Sequence, residues 1–272
     1  MVNIEIVTIG NEILLGLVQD TNSNYLCRVV RGMGGRVRHI AIVRDEIDSI
    51  VEQLRASLLR RPDLIFTCGG LGPTDDDLTL AALAVATDRS LELNQQAREL
   101  VERRYRELTR SGYVASAEMS EPRLKMAHLP ANCSVIENPI GVAPAIAMEA
   151  GVSRIVALPG VPAELKGIIE GPLQSLLNEV FGRGSYRERE MMVDCGDESV
   201  LAPALRQVAA AHPEVYIKSR ASRFGRDVMF RINISASASS AEEANRVIES
   251  VARDLTIAFE NAGIHQAKDT RQ

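Results

Sequence analysis

The chain predicts a three-layer α/β domain with a mostly parallel sheet, followed by a small α+β domain. Three observations predict this. A β-branched or apolar run gives way to a loop and then to helical periodicity three times in succession within the first 86 residues. Successive strand–helix units of this kind pack as a parallel sheet with right-handed crossovers and helices on both faces. After the glycine-punctuated stretch Gly182-Arg183-Gly184-Ser185, the order of strand and helix signals changes, which marks a linker into a second domain.

In chain order, residues 2–9 (VNIEIVTI) read as a strand ending at Gly10, and residues 21–33 carry apolar positions at helical spacing. Gly34-Gly35 breaks that helix. Residues 36–43 read as a second strand, and residues 47–59 as a helix with Ile47, Ile50, Val51, Leu54 and Leu58 on one face. Pro62 restarts the chain into a buried third strand at 64–68, and Gly69 opens a loop feeding a helix over 77–86. A long polar helix over 94–111 follows. Short strands are expected at 135–136, 145–148 and 154–158, and a helix over 165–180 closes the first domain, residues 1–181. The second domain, residues 187–262, reads as strand 190–194, helix 199–210, strands 215–218 and 227–234, and helix 241–259. Residues 236–240 read as a short turn, and 263–272 as a flexible tail.

Composition narrows the function. A length of 272 residues exceeds the ~100 to 200 of a single domain. The 46% hydrophobic and 25% charged shares suit a soluble globular protein, and no apolar run approaches the roughly 20 residues that span a bilayer. The N-terminus has neither a basic flank nor a small-residue cleavage site, so it reads as a strand, and the expected location is cytoplasmic, without a membrane. Cys27, Cys68, Cys133 and Cys195 form no CxxC pair, which argues against a zinc ribbon or a disulfide framework. A net charge of −5 gives no reason to expect nucleic acid as a partner.

The richest segment is Gly69-Gly70-Leu71-Gly72-Pro73-Thr74-Asp75-Asp76-Asp77, where the third strand turns toward a helix. Ligands bind at that edge of open parallel sheets. Gly69, Gly70 and Gly72 let backbone amides approach an anion closely, with Leu71 and Thr74 completing a phosphate cradle. It has no P-loop lysine, and three carboxylates at the rim repel a bare phosphate unless a cation intervenes. A divalent cation held by one or two carboxylates and phosphate oxygens resolves the conflict. The competing reading is that these aspartates only favour the first turn of a helix.

Other strand ends add candidates. Glu12 follows the first strand, Asp20-Thr21-Asn22 precedes the first helix, and Asp45 follows the second strand, so with the aspartates after the third strand acidic groups from three strand ends could converge on one cleft. Asp20 or Thr21 also suits a helix N-cap, and Asp45 a solvated surface. Asn138 to Pro144, containing Gly141, and Leu158 to Glu164, containing Pro159 and Gly160, are loops beside predicted strands, and the second opens a helix. Arg123 and Lys125 could neutralise a diphosphate or form a charged face.

The motifs GNEILLG, DTN, GGLGPTDDDLT, NPIGVAPA and LPGVPAELK resemble, in order from residue 4 to about residue 180, the N-terminal domain of the CinA (competence/damage-inducible protein A) family. That family belongs to the molybdopterin-binding MoaB/MogA-like fold group. The resemblance implies a molybdopterin-binding-like α/β domain, and its stand-alone form is associated with ADP-ribose pyrophosphatase activity requiring a divalent cation (magnesium, manganese or cobalt) and potassium. Related domains bind molybdopterin and adenylylate it. Carried over by motif, Asp77 matches the acidic residue of the phosphate and metal site and Asp45 the aspartate after strand two. Glu12, Asp20, Asn22, Asp76 and Thr79 occupy motif positions with less definite roles. The chain departs from the commoner pattern at Val161, where proline is usual, and at Glu121-Pro122-Arg123.

The expected function is therefore a hydrolase acting on the diphosphate bond of a small nucleotide, chiefly ADP-ribose, giving AMP and ribose 5-phosphate. Asp76 and Asp77 hold the cation, and Asp45 or Glu12 places the water. The alternatives are a molybdopterin-binding or adenylyl-transfer protein of molybdenum cofactor biosynthesis, and a non-enzymatic binding module. The resemblance also implies a homo-oligomer, and, since the sequence ends before a deamidase domain, no deamidase activity.

Overall fold

The computed structural model describes residues 2–182, 185–195, 197–221, 229–238 and 240–266. The chain forms two compact units: the first runs through Val30 and then Gly35–Gly182, and the second comprises Arg31–Gly34 with the described residues after Gly182.

In the first unit β1 (Asn3–Ile9) leads through a single helical turn, α1 (Asn11–Leu14), into α2 (Thr21–Gly32), β2 (Arg36–Val43), α3 (Ile47–Leu59), β3 (Leu64–Cys68) and α4 (Thr79–Ala86). Next come β4 (Leu91–Leu93), α5 (Gln95–Arg110), α6 (Glu121–Lys125), β5 (His128–Pro130), β6 (Ser134–Ile136), β7 (Ala145–Ala150), β8 (Ser153–Leu158), α7 (Pro162–Glu170) and α8 (Gln174–Phe181). The six-stranded sheet has the order β2-β1-β3-β8-β7-β6. The first four strands are parallel, and β7 and β6 are antiparallel additions. β4 pairs with β5 in a separate two-stranded sheet.

Strand alternation divides the core. Val7, Ile9, Ile65, Ile155 and Ala157 point into one layer with Ile50 and Leu54 of α3, Leu80 and Leu83 of α4, and Val101 of α5. Their neighbours Ile4, Ile6, Leu64, Phe66 and Val156 are equally buried and face the opposite way. On that side α2 and α7 are linked by the Tyr25 hydroxyl, which donates to Glu170 at 2.9 Å. β3 is buried at every position, as a central parallel strand must be.

One charge lies inside this sheet. Glu5 of β1 is 2% exposed and accepts two hydrogen bonds at 2.7 Å from Arg60 Nε and Nη2. Burial pushes its carboxyl up, but hydrogen bonds from Arg60 and Ser57 and the guanidinium charge leave it below its usual value.

The expected single helix over 165–180 is two helices. Gly171-Pro172 separates α7 from α8, because proline lacks the amide the ladder needs and disfavours helical geometry in the residue before it. α5 and α3 lie where their periodicity put them, and Asn94 caps α5 by accepting from Ala97 N at 3.0 Å.

The second unit contains β9 (Ser185–Asp194), α9 (Glu198–Ala211), β10 (Val215–Ala221), β11 (Met229–Ala238), α10 (Ala241–Asn261) and β12 (His265–Gln266). Its antiparallel sheet has the order β10-β11-β9-β12. Leu201 and Val208 of α9 and Val251, Leu255 and Phe259 of α10 pack with Val193, Ile232 and Ile234 in its core. Three expectations are corrected here. Ser185, expected in the linker, begins β9. Residues 236–238, expected as a turn, continue β11 through pairing with β9, and His265–Gln266, expected in a flexible tail, pair with Asp194 and Val193. The expected strand start at 227 and the tail beyond 266 lie outside the described residues.

Candidate functional site

The C-terminal ends of β1, β2, β3 and β8 open on one edge of the sheet, delivering Gly10, Arg44-Asp45, Gly69 and Pro159 side by side. Because β7 runs antiparallel to β8, the loop entering β7, residues 137–144, reaches the same edge.

The glycine turn is built from backbone close approaches. Gly69 has φ +107, and a Cβ there would meet the Ile9 carbonyl oxygen at 2.2 Å; Gly70 has φ +68, and its Cβ would meet Thr79 Oγ1 at 2.2 Å. Neither position admits a side chain. Thr79, fully buried, closes the turn by donating from Oγ1 to the Gly69 carbonyl at 2.8 Å and from its amide to the Gly70 carbonyl at 3.1 Å. The Gly69 amide is spent on Leu158 O at 3.0 Å, whereas the amides of Gly70, Leu71 and Gly72 have no hydrogen-bond partner among the described residues.

A second row of free amides lies alongside. Cα of Gly69 is 3.4 Å from where a Cβ on Gly160 would stand. The amides of Gly160, Val161, Ala163 and Glu164, at the uncapped start of α7, also lack partners among the described residues. Asn22 Nδ2 donates to the Gly160 carbonyl at 2.7 Å and fixes this turn against α2. Asp20 serves structure: Oδ1 accepts from Ser23 N at 2.9 Å, capping α2, and Oδ2 accepts from Thr8 Oγ1 at 3.2 Å. The N-cap reading holds there.

The carboxylates do not act as one group. Asp77 Oδ2 accepts from Thr74 N at 2.9 Å and Thr74 Oγ1 at 2.5 Å, so Asp77 braces its own loop, and Lys125 Nζ donates to the Thr74 carbonyl. Asp45 Oδ2 accepts from the Asn11 amide at 2.6 Å. Burial pushes the Asp45 carboxyl above its usual value, and the charges of Glu12 and Asp76 add to this against the opposing Asn11 bond. Glu12 folds back over Gly10, where a Cβ would meet its Oε1 at 2.6 Å. Glu12, Asp45 and Asp76 therefore share one field, yet among the described residues no group of three or more His, Cys, Asp or Glu is close enough to hold a metal. Burial pushes the Cys68 thiol, beneath the glycine turn, well up, which leaves it without nucleophilic character.

The 137–144 loop hangs on Asn138. Its Oδ1 accepts from the amides of Ile140 (3.1 Å) and Gly141 (2.8 Å), and its Nδ2 donates to Ala143 O (3.0 Å) and Glu164 Oε2 (2.7 Å). The Glu164 carboxylate lies so close to Gly141 that a Cβ there would meet it at 2.2 Å. Burial raises the Glu164 carboxyl, with the Asn138 bond and the Arg104 charge opposing. Between α5 and this loop is a cavity of about 270 Å³ lined by Arg103, Arg104, Glu137, Asn138 and Gly141 among others. Sequence reasoning missed Arg104, which donates to the Ile140 carbonyl, because nothing distinguishes it among the arginines of α5. Arg123 stacks 3.7 Å from the Tyr105 ring centroid and donates to the Ser116 and Glu118 carbonyls, organising the loop before α6.

A three-layer α/β domain with free amides from two glycine turns at the C-terminal edge of its parallel strands has the donor geometry that an anion site needs. Residues 5–179 match the model of the "probable molybdopterin binding domain" family, and the chain belongs to that family. It is CinA-like within it: the crystal structure of CinA from Thermoplasma acidophilum, a protein described as of unknown function, is 31% identical, superposes with a TM-score of 0.58, and covers 64% of this chain and 98% of its own. A protein of Caldivirga maquilingensis is 39% identical over 92% of this chain and 94% of its own length. One from Pyrobaculum calidifontis is 35% identical over 96% and 98%. The family match overturns the expectation of an ADP-ribose hydrolase, since the family is described by molybdopterin binding and not by diphosphate cleavage. Among the described residues no helix is long and apolar enough to cross a membrane.

Proposed function

We propose that the chain binds a phosphorylated pterin of the molybdopterin class at the C-terminal edge of its first-unit sheet and acts in molybdenum cofactor assembly. The observation that carries this reading is the pair of unpartnered amide runs, Gly70 to Gly72 and Gly160 to Glu164, held side by side in a domain of the molybdopterin-binding family. Leu71 is buried and Gly70 and Gly72 half-buried, while Gly160, Val161 and Ala163 are exposed, so one run is short of acceptors and the other open to a ligand, and a phosphate suits both. The acidic rim of Glu12, Asp45 and Asp76 favours a ligand whose charge is accompanied by a divalent cation, magnesium being the simplest.

The finer reading is adenylyl transfer: a terminal phosphate oxygen of the pterin attacks the α-phosphorus of ATP, the α–β bridging bond breaks, and pyrophosphate leaves. In that step the free amides hold the pterin phosphate, and the cation offsets charge on the triphosphate.

The test is equilibrium binding of molybdopterin to the full chain, read as the fluorescent pterin recovered from protein after oxidation. Retention near one equivalent, competed by millimolar inorganic phosphate, is expected. A chain that retains no pterin overturns the reading. Pyrophosphate release from ATP with magnesium, dependent on molybdopterin, tests the transfer step separately.

A further inference from the structure

We propose that the cavity between α5 and the loop before β7 seats the pterin ring of the ligand, with Arg103 and Arg104 reading its carbonyl edge and Glu107 or Glu137 its amino edge. This deepens the proposed function and rests on it for the phosphate, which lies on the amide runs. The cavity adjoins those runs through its own wall. Asn138 and Gly141 line it, Asn138 Nδ2 donates to Glu164 Oε2 at 2.7 Å, and the Glu164 amide ends the second run.

Size and lining select a ring. At about 270 Å³ the cavity is smaller than the roughly 300 to 1,000 Å³ that encloses a drug-sized ligand, so it takes one part of a molecule. Leu100, Val142 and Pro144 give it apolar walls for the faces of a ring, and its charge is confined to two ion pairs. Arg103 pairs with Glu137; Arg104 Nη1 donates to Glu107 Oε2 at 2.9 Å, and its Nη2 donates to the Ile140 carbonyl. A guanidinium carries five N–H donors, so both arginines keep donors in hand, and its plane stacks on an aromatic face.

The alternation of guanidinium and carboxylate picks the class of ring. O4 and N5 of a pterin stand side by side as two acceptors, the arrangement that O6 and N7 of guanine present to a bidentate arginine. The 2-amino group and N3–H of the same ring donate to a carboxylate. Adenine carries an amino group where the pterin has its carbonyl, which sets donors against the guanidinium. A bare anion would satisfy the arginines but is repelled by the carboxylates beside them.

Titration of the full chain with 6-hydroxymethylpterin, an unphosphorylated pterin, read by quenching of pterin fluorescence, tests the assignment. Saturable binding is expected, undiminished by millimolar inorganic phosphate, because ring and phosphate occupy different places. Guanosine is expected to compete and adenosine not to. Arg104→Met is expected to weaken pterin binding about tenfold or more, through hydrogen bonds lost from a charged donor. Because Arg104 also holds the Ile140 carbonyl, Leu100→Trp is the second variant: it fills the cavity from α5, leaves that bond in place, and is expected to weaken the pterin by a similar factor while the helical circular dichroism signal is kept. No binding of the pterin, equal competition by adenosine and guanosine, or a pterin affinity untouched by both variants overturns the inference. Pterin binding that is lost in Leu100→Trp upholds it even where molybdopterin itself is not retained, so the two readings fail separately.

Discussion

Replacing Arg60 with methionine leaves the Glu5 carboxylate in the sheet without its two hydrogen bonds. Breaking a fully buried pair by removing one partner costs about 3 to 5 kcal/mol. Glu5 is fully enclosed, but the Arg60 side chain is 41% exposed and water reaches its outer edge. We therefore expect a loss nearer 2 to 3 kcal/mol for Arg60→Met at pH 7. At roughly 2 to 4 °C per kcal/mol for a unit of this size, Tm should fall by about 4 to 12 °C. The sign with pH follows from linkage. In the wild type the Glu5 carboxyl sits below its usual value, so the stability it contributes is present above the unfolded-state pKa and is lost as pH falls through the folded-state one. In Arg60→Met burial is opposed only by the Ser57 bond and the weaker charge of His39, so the carboxyl is raised and acid protonates it readily. The gap in Tm between wild type and variant should thus be widest at neutral pH and shrink toward pH 4. Calorimetry at both pH values measures it. A gap below 1 °C at neutral pH, or one that widens in acid, would refute the reasoning.

Thr79→Val removes the donor to the buried Gly69 carbonyl and should cost about 1 to 3 kcal/mol in urea unfolding, with pterin affinity falling alongside. Gly70→Ala should be worse, because a left-handed backbone and a 2.2 Å approach to Thr79 Oγ1 both oppose it; soluble protein with unaltered ligand binding would contradict the turn geometry. Asp45→Asn keeps an oxygen for the Asn11 amide but loses a carboxyl whose pKa is raised. It should be at least as stable as wild type at pH 7, and wild type should gain on it as pH falls through that raised value, as read by Tm across pH 4 to 7. Asn138→Ala frees four hydrogen bonds of the loop before β7 and should weaken pterin binding more than tenfold, measured by fluorescence titration.

The parallel half of the fold was legible because its signals are local. β2, α3 and β3 occupy the residues that strand runs and helical periodicity assigned, since those signals are carried in each segment's own sequence. The break between α7 and α8 was equally local, written in Gly171-Pro172, and was passed over in favour of the longer apolar pattern. The site was legible as a set of loops and illegible as a set of roles. Glycines at strand ends announce close backbone approach, and Gly69, Gly70 and Gly160 do approach other elements closely. Whether a carboxylate faces the cleft or its own loop depends on a rotation of a few ångströms that no spacing encodes. Asp77 turned inward to Thr74, and Arg123 went to Tyr105, a residue 18 positions earlier with no motif to link them.

The Asn22 to Gly160 hydrogen bond joins positions 138 apart in sequence, and the neighbouring Gly69 stands between them in the chain. The two amide runs begin 90 positions apart, at Gly70 and Gly160, and the cleft comes into being only when β8 has docked on β3. A ligand that recognises it discriminates finished molecules from partly folded ones. At 100 times its dissociation constant it would add about 2.7 kcal/mol to the folded state, so the abundance of the chain in a cell would rise and fall with the supply of what it binds.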